Sequence, residues 1–212
     1  MSTPPWRYDL LCLVADKNME QAVQNLLQRH RALGIRAIRW QIYVHPERDP
    51  GCYARSPEFL RPFAHQAARV LVLFDYEGSG KEDTGTREAL EADLEARLRD
   101  AGWGERAAVV AIAPELEAWV WSDSPHVAAV LGWPREATDL RTWLKQSDYL
   151  RDAQLKPARP KEAVEAVLKH VRRPRSSSIY GQLAAKVSLG RCTDPSFAKL
   201  KTVLKRWFAV VQ

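Results

Sequence analysis

Four apolar segments of strand length punctuate the first half of the chain. Residues 70–74 (VLVLF) and 107–113 (AAVVAIA) are continuous apolar runs, residues 9–15 (DLLCLVA) are nearly so, and residues 35–44 alternate apolar and polar positions towards their end. Continuous apolar runs are typical of strands buried on both faces of a parallel sheet, and alternation is typical of a strand with one buried face. The pattern therefore predicts four strands.

Segments of helical length lie between these strands. Apolar residues recur at helical spacing in residues 19–30 and 86–101, and residues 57–68 are predicted as a further helix. Residues 45–52, which contain two prolines and a glycine, and the glycine-rich residues 75–85 are predicted as loops. Strands that alternate with helices predict right-handed βαβ crossovers, and hence an α/β fold with a mostly parallel sheet.

The remainder of the chain, from Pro114 onward, is predicted to be helical. Residues 172–178 (RRPRSSS) are expected to form an exposed loop. We expect an α/β core over residues 1–135 and a basic helical extension, packed on that core, over residues 136–212. The predicted helices are residues 115–121, 126–131, 138–145, 161–171, 180–187 and 195–208.

The net charge of +6 is distributed unevenly along the chain. Residues 1–150 carry 18 Lys and Arg against 22 Asp and Glu, whereas residues 151–212 carry 14 against 4. A basic segment beside an acidic body suits a metal site that adjoins a phosphate-binding surface, although a solvated basic face is an equally simple interpretation. The candidate nucleic-acid-binding residues are Lys156, Lys161, Arg172, Arg173, Arg175, Lys186 and Arg191.

Aromatic residues offer a weaker signal for nucleic-acid binding. The eight tryptophans could stack on bases, but most are expected in the core, and Tyr180 is a further candidate for stacking.

Membrane and disulfide-rich classes do not fit the composition. The N-terminus lacks a charged stretch followed by an apolar core, and the longest apolar runs are too short to span a bilayer. The three cysteines are far apart and lack metal-ligand spacing. We therefore expect a cytoplasmic protein without membrane contact.

Pairs of acidic residues follow three of the predicted strands. Ligands of open parallel sheets gather beyond the carboxyl ends of the strands, so these positions carry more weight than other acidic residues. Side chains of residues that are two positions apart in extended backbone, or one turn apart in a helix, point to the same side. The pairs are Asp16 with Glu20, Asp75 with Glu77, and Glu115 with Glu117.

Such carboxylates suit Mg²⁺, with Mn²⁺ as an alternative. Mg²⁺ takes oxygen ligands, and one or two carboxylates plus a substrate phosphate commonly hold it. We assign Asp75, Glu77, Glu115 and Glu117 as candidate metal ligands. The alternative for any single pair is that its carboxylates only cap the following segment or complement a helix dipole.

The loop after the second predicted strand adds further candidates. His45 could move a proton, Arg48 could contact a phosphate, and Asp49 could face the same crevice. The alternative is a rigid turn over residues 49–51.

The sequences VLVLFDYEGSG and AIAPELEAWVWSD resemble a TOPRIM-like family of bacterial defence and mobile-element proteins. PKEAV, SIYGQLAAKV and DPSFAKL extend the resemblance to its helical tail, and LVADKNME with HPERDPGC is similar to a small accessory component of a methylation-associated anti-phage defence system. The resemblance implies a TOPRIM-like fold, Mg²⁺ dependence and phosphoryl transfer on nucleic acid.

The chain departs from the family pattern at two places. Ala15 occupies the end of the first strand, where the family places a glutamate that serves as general acid and base, so Asp16 or Glu20 would have to substitute. Glu77 replaces the second aspartate of the Asp-x-Asp pair.

Three functions stay open at this point. The first is a Mg²⁺-dependent nuclease in bacterial anti-phage defence, with Asp16, Glu20, His45 and Arg48 as candidate catalytic residues. The second is a catalytically inactive accessory subunit that binds nucleic acid, nucleotide or a partner defence protein. The third is a sensor of a phage protein or a toxin that acts on RNA. A homodimer is compatible with each.

Overall fold

Four parallel strands form a sheet in the computed structural model of the chain, which describes residues 6–83 and 85–210. The strands are β1 (Tyr8–Val14), β2 (Trp40–Val44), β3 (Ala67–Asp75) and β4 (Ala107–Ile112). Their order across the sheet is β2-β1-β3-β4. The predicted α/β fold with a mostly parallel sheet of four strands is confirmed.

The described helices flank the sheet and make up the C-terminal part of the chain. The predicted domain ranges include residues 1–5 and 211–212, and the predicted 75–85 loop includes residue 84. These positions lie outside the described residues. The helices are α1 (Lys17–Gln28), α2 (His30–Leu33), α3 (Arg48–Leu60), α4 (Arg87–Leu98), α5 (Glu117–Val120), α6 (His126–Leu131), α7 (Leu140–Gln146), α8 (Pro160–His170), α9 (Ser177–Lys186) and α10 (Pro195–Phe208).

The two central strands, β1 and β3, contain the most deeply buried apolar residues. Residues 10–14 of β1 and 70–74 of β3 have no exposed surface. Val14 pairs with Val44 of β2 and with Leu73 of β3, and Asp75 pairs with Ile112 of β4. The carboxyl ends of all four strands therefore meet at one edge of the sheet.

The loop prediction for residues 45–52 is wrong from Arg48 onward, because α3 begins there. Pro50 is tolerated because it lies in the first helical turn, where a backbone donor has no partner within the helix. Gly51 serves close packing: a Cβ at this position would overlap the imidazole of His45. The predicted 57–68 helix is displaced as well, since α3 ends at Leu60 and β3 begins at Ala67.

The C-terminal helices pack on the rest of the molecule. Helix α9 lies against α1, and α10 contacts β4. The approach of α9 to α1 is close at Gly181, where an added Cβ would lie 2.9 Å from Nδ2 of Asn25. Trp119 of α5 meets Phe197 of α10 edge to face at 5.2 Å and donates its indole N–H to Ser196.

Within the described residues, no helix combines the length and the apolar character needed to cross a bilayer.

Candidate functional site

The strand order places a topological switch point between β1 and β3. From β1 the chain continues outward to β2, and from β3 it continues in the other direction to β4. Ligands of open α/β sheets bind beyond the carboxyl ends of the strands at such a point. Asp75 ends β3 here, and Asp16 follows β1 as the N-cap of α1, where its Oδ1 accepts the backbone N–H of Met19 at 2.9 Å.

Five acidic residues lie close enough at this edge of the sheet for their charges to interact. We call them the carboxylate cluster: Asp16, Asp49, Asp75, Glu115 and Glu117. Asp16 follows β1, Asp49 follows β2, Asp75 ends β3, and the two glutamates follow β4. The sequence prediction of converging carboxylates therefore has a geometric counterpart, with one change of membership described below.

Hydrogen bonds join three parts of the cluster directly. The backbone N–H of Asp75 donates to Oδ1 of Asp49 at 2.7 Å, and Oδ1 of Asp75 accepts the N–H of Leu116 at 2.8 Å. Asp75 is thereby linked through its backbone N–H to the first turn of α3, and through its carboxylate to the segment that carries Glu115 and Glu117. One backbone donor, the N–H of Leu116, helps to fix the position of that carboxylate.

Crowded negative charge is the main electrostatic property of the cluster. Burial raises the pKa of the Asp75 carboxyl well above its ordinary value, and the charges of the four other members raise it further. The pKa of Asp49 is raised by burial and by the charge of Asp16, against the hydrogen bond from Asp75 N–H. Buried carboxylates that repel one another favour either a proton or a bound cation.

Two cations from the C-terminal part of the chain partly neutralise the cluster. Nζ of Lys161 lies 3.3 Å from Oε2 of Glu115, whose Oε1 also accepts the Lys161 backbone N–H at 3.1 Å. Nη2 of Arg175 lies 2.6 Å from Oε1 of Glu117, and the Tyr180 hydroxyl donates to the same oxygen. The pKa of Glu115 is raised by burial and by Glu117, and Lys161 opposes that rise.

The donor chemistry of the cluster fits Mg²⁺, because all five groups are carboxylates and hard cations prefer oxygen. Across the described residues, however, no three His, Cys, Asp or Glu side chains stand in a ready metal-binding arrangement. The ion pairs of Glu115 and Glu117 explain part of this, since both side chains turn towards protein cations. A metal would therefore rest first on the aspartates.

Comparisons with models of protein families, with curated proteins and with solved structures find no match to this chain. The resemblance to TOPRIM-like proteins consequently stays an expectation from the sequence.

Two predicted carboxylates lie apart from the cluster contacts. Glu77 is exposed, and its backbone N–H donates to the Pro114 carbonyl at 2.9 Å. Glu20 pairs with Lys17 at 2.7 Å on the surface of α1. Their roles as metal ligand and as acid or base stay predictions.

His45 and Arg48, the candidates from the segment after β2, have different surroundings. His45 is buried beside Phe59, and its Nδ1 accepts the N–H of Glu47 at 3.1 Å. Burial lowers the pKa of this imidazole. Arg48 is exposed at the start of α3 with a left-handed φ of 53°, and its charge acts on Asp49. Of the two, Arg48 is the better placed for a phosphate near the cluster.

Most of the predicted nucleic-acid-binding residues make contacts within the protein. Lys156 pairs with Asp194 at 3.0 Å, Arg191 donates to the Asp123 carbonyl at 3.2 Å, and Arg173 donates to a carbonyl of α6. Lys161 and Arg175 contact the cluster, as described above. Arg172 and Lys186 are exposed.

Sequence reasoning assigned no ligand role to Asp49 and considered Tyr180 only for base stacking. The signal for Asp49 was hidden because Pro50 and Gly51 indicated a turn, whereas they belong to the first turn of α3. No sequence signal pairs Tyr180 with Glu117, because the two residues meet only through the packing of α9.

Proposed function

We propose that the chain binds Mg²⁺ at the carboxylate cluster and catalyses phosphoryl transfer on nucleic acid, as a nuclease of bacterial anti-phage defence in the cytoplasm. The observation that carries this proposal is the direct linkage of Asp49, Asp75 and the 115–117 segment at the switch point of the sheet. Concentrated carboxylates at this place are costly unless a cation offsets their repulsion.

The residues of the site would fall into two groups, one that holds the metal and one that contacts the phosphate of the substrate. Asp75 and Asp49 would hold the metal, because within the described residues neither forms an ion pair with a lysine or arginine, as the two glutamates do. When bound, Mg²⁺ supplies positive charge that polarises the phosphodiester and favours ionisation of an attacking water.

Lys161 and Arg175 suit the phosphate of the substrate. Both reach the cluster from the helical C-terminal part and contact a glutamate whose charge a bound metal would partly satisfy. An arginine that exchanges a carboxylate for a phosphate keeps its charge-assisted hydrogen bonds, so the exchange costs little.

Asp16 is the best-placed substitute for the acid or base that Ala15 cannot supply. Ala15 itself is buried, whereas Asp16 is partly exposed and its charge acts on Asp75. Its Oδ1 accepts the Met19 N–H at the start of α1, and its Oδ2, which accepts a longer hydrogen bond of 3.4 Å from Nδ2 of Asn18, would exchange a proton with a reacting group.

A second candidate function is a non-catalytic subunit that binds nucleic acid, nucleotide or another defence protein through the same crevice. The ion pairs of Glu115 with Lys161 and of Glu117 with Arg175 favour it, because they stabilise the cluster without a metal. Ala15 favours it as well.

Cleavage of labelled single- and double-stranded DNA and RNA, with Mg²⁺, Mn²⁺ or EDTA, tests the proposal. We expect metal-dependent cleavage that Asp75→Asn and Glu117→Gln abolish, and that Glu58→Gln, an exposed carboxylate of α3, leaves intact. Glu77→Gln decides whether that exposed residue contributes. Binding without cleavage by the pure wild type would instead support the subunit.

A further inference from the structure

An open groove of about 750 Å³ lies between α7 and α8, outside the carboxylate cluster. Three ring side chains line it: Trp143 and Tyr149, which are half-buried, and His170, which is exposed. Two carboxylates on α8, Glu162 and Glu165, stand on its rim. Neither the cluster nor the predicted phosphate contacts account for this combination.

Two pairs of rings at this groove are stacked, and Trp143 is tilted against both rings of the other pair. Trp143 and Tyr149 lie 6.3 Å apart with planes 20° from parallel, and His170 stacks on the buried Trp133 at 5.1 Å and 22°. Trp143 meets His170 at 5.0 Å with planes 47° apart, and it meets Trp133 at 5.1 Å with planes 52° apart. The near-parallel pair of Trp143 and Tyr149 offers flat ring surface, which suits a planar partner.

The guanidinium of Arg175 lies between this groove and the cluster and contacts a carboxylate of each. Arg175 places Nη1 3.0 Å from Oε1 of Glu165, on the groove, and Nη2 2.6 Å from Oε1 of Glu117, in the cluster. The two sites are therefore linked through one side chain.

We propose that this groove is a nucleobase subsite that stacks an unpaired base of a single-stranded substrate beside the cluster. The rim carboxylates accept hydrogen bonds, so the bases with an exocyclic amino group, namely adenine, cytosine and guanine, are preferred over thymine. The proposal rests on the proposed function, because it supplies that site with a substrate class.

Binding of short single-stranded DNA that carries either a normal adenine or an abasic residue, measured by fluorescence anisotropy, tests the subsite. Base stacking on aromatic side chains contributes about 1–3 kcal/mol per base, which corresponds to about 5- to 150-fold in affinity. We expect the wild type to bind the oligonucleotide with the base more tightly within this range. Trp143→Leu and His170→Ala should remove the preference, while Trp207→Leu and His65→Ala, matched changes elsewhere on the surface, should keep it.

A phosphate-free probe separates this proposal from the proposed function. Adenosine or cytidine should shift the indole N–H NMR signal of Trp143 but not that of Trp207, whether or not the protein cleaves nucleic acid. Shifts without metal-dependent cleavage would retain the subsite and reject the nuclease. Cleavage without shifts, equal affinity for the abasic oligonucleotide, or a Trp143 response to tetramethylammonium alone would overturn the subsite.

Discussion

Glu117 is almost completely buried, and side chains from the C-terminal part of the chain satisfy its carboxylate. Arg175 provides the opposite charge, and the Tyr180 hydroxyl donates to the same oxygen. Burial and the negative charge of Glu117 raise the pKa of the Tyr180 hydroxyl, so the tyrosine remains a donor throughout the physiological range. The cluster thus depends on residues more than fifty positions away in the chain.

Tyr180→Phe tests this dependence. The change removes a hydroxyl that donates to a buried carboxylate and accepts the Nε–H of Arg175 at 2.9 Å, without creating a large cavity, and hydrogen bonds to charged groups contribute about 1.5–3 kcal/mol. We expect the free energy of unfolding in urea to fall by about that amount. Tyr43→Phe, a control whose hydroxyl has no hydrogen bond within the described part of the chain, should change little. Equal effects of the two substitutions would contradict this account of Glu117.

At the same scale, sequence spacing placed Asp75 in the cluster but did not indicate that Asp49 is its neighbour there. Side chains of residues two positions apart project to the same side only while the backbone is extended. The strand ends at Asp75, and the chain turns immediately, with Gly78 at a φ of 95°. Glu77 therefore faces solvent, and Asp49, from another segment, takes the place beside Asp75. The position of Asp49 beside Asp75 follows from tertiary packing, which the spacing of residues along the chain does not encode.

At the scale of elements, the edge strand β4 illustrates how α4 protects an unpaired sheet edge. The N–H groups of Val109 and Ala111 donate to Glu95 and Glu91, each at 2.9 Å. Lys199 of α10 lies 3.1 Å from both carboxylates. An edge strand whose donors are occupied in this way offers little to a strand from another molecule.

Glu91→Ala and Glu91→Gln should have opposite effects. Alanine leaves the buried Ala111 N–H without an acceptor, which costs about 1–3 kcal/mol. Burial raises the pKa of Glu91, so the folded state binds its proton more tightly than the unfolded state does. The unfolding free energy therefore falls as the pH rises from the pKa of Glu91 in the unfolded state through its higher pKa in the folded state. Glutamine keeps the acceptor and removes the charge.

Urea unfolding at neutral and mildly acidic pH measures both effects. Glu91→Gln should be more stable than the wild type at neutral pH, with the difference shrinking as the pH falls, and Glu88→Gln on the exposed side of α4 serves as control. A glutamine variant as unstable as the alanine variant would show that the charge itself, through Lys199, stabilises this edge.

The elements themselves were largely predictable, with α3 as the main exception. The apolar runs over 9–15, 70–74 and 107–113 correspond to β1, β3 and β4, and residues 195–208 match α10. Strand β2 begins only at Trp40, not at residue 35. Helix α3 escaped prediction because Pro50, Gly51 and Pro57 all occur within it. The first turn accommodates Pro50, and Gly51 packs closely against His45.

At the scale of the whole molecule, the basic C-terminal part provides both internal ion pairs and free surface charge. Lys156, Lys161 and Arg175 are engaged with acidic side chains, whereas Arg172 and Lys186 are exposed. The excess of positive charge after residue 150 therefore overstates the charge available for a polyanion.

Arg172→Ala and Lys186→Ala test which part of this charge contacts nucleic acid. Each phosphate contact contributes about 0.9 to the slope of log affinity against log salt for duplex DNA. We expect each substitution to reduce that slope by about one contact and to leave the melting temperature unchanged. Arg31→Ala, an exposed arginine of α2, should alter neither. An unchanged slope in both C-terminal variants would place nucleic acid on another face.

Calorimetric titration of Mg²⁺ and Mn²⁺ tests most directly whether the carboxylate cluster binds a divalent cation. Asp75→Asn keeps the acceptor for Leu116 N–H and removes the charge, while Asp100→Asn makes the same chemical change at an exposed site. We expect saturable binding by the wild type and by Asp100→Asn, and loss of binding in Asp75→Asn. Binding that survives Asp75→Asn, or a folded wild type that binds neither metal, would contradict this expectation.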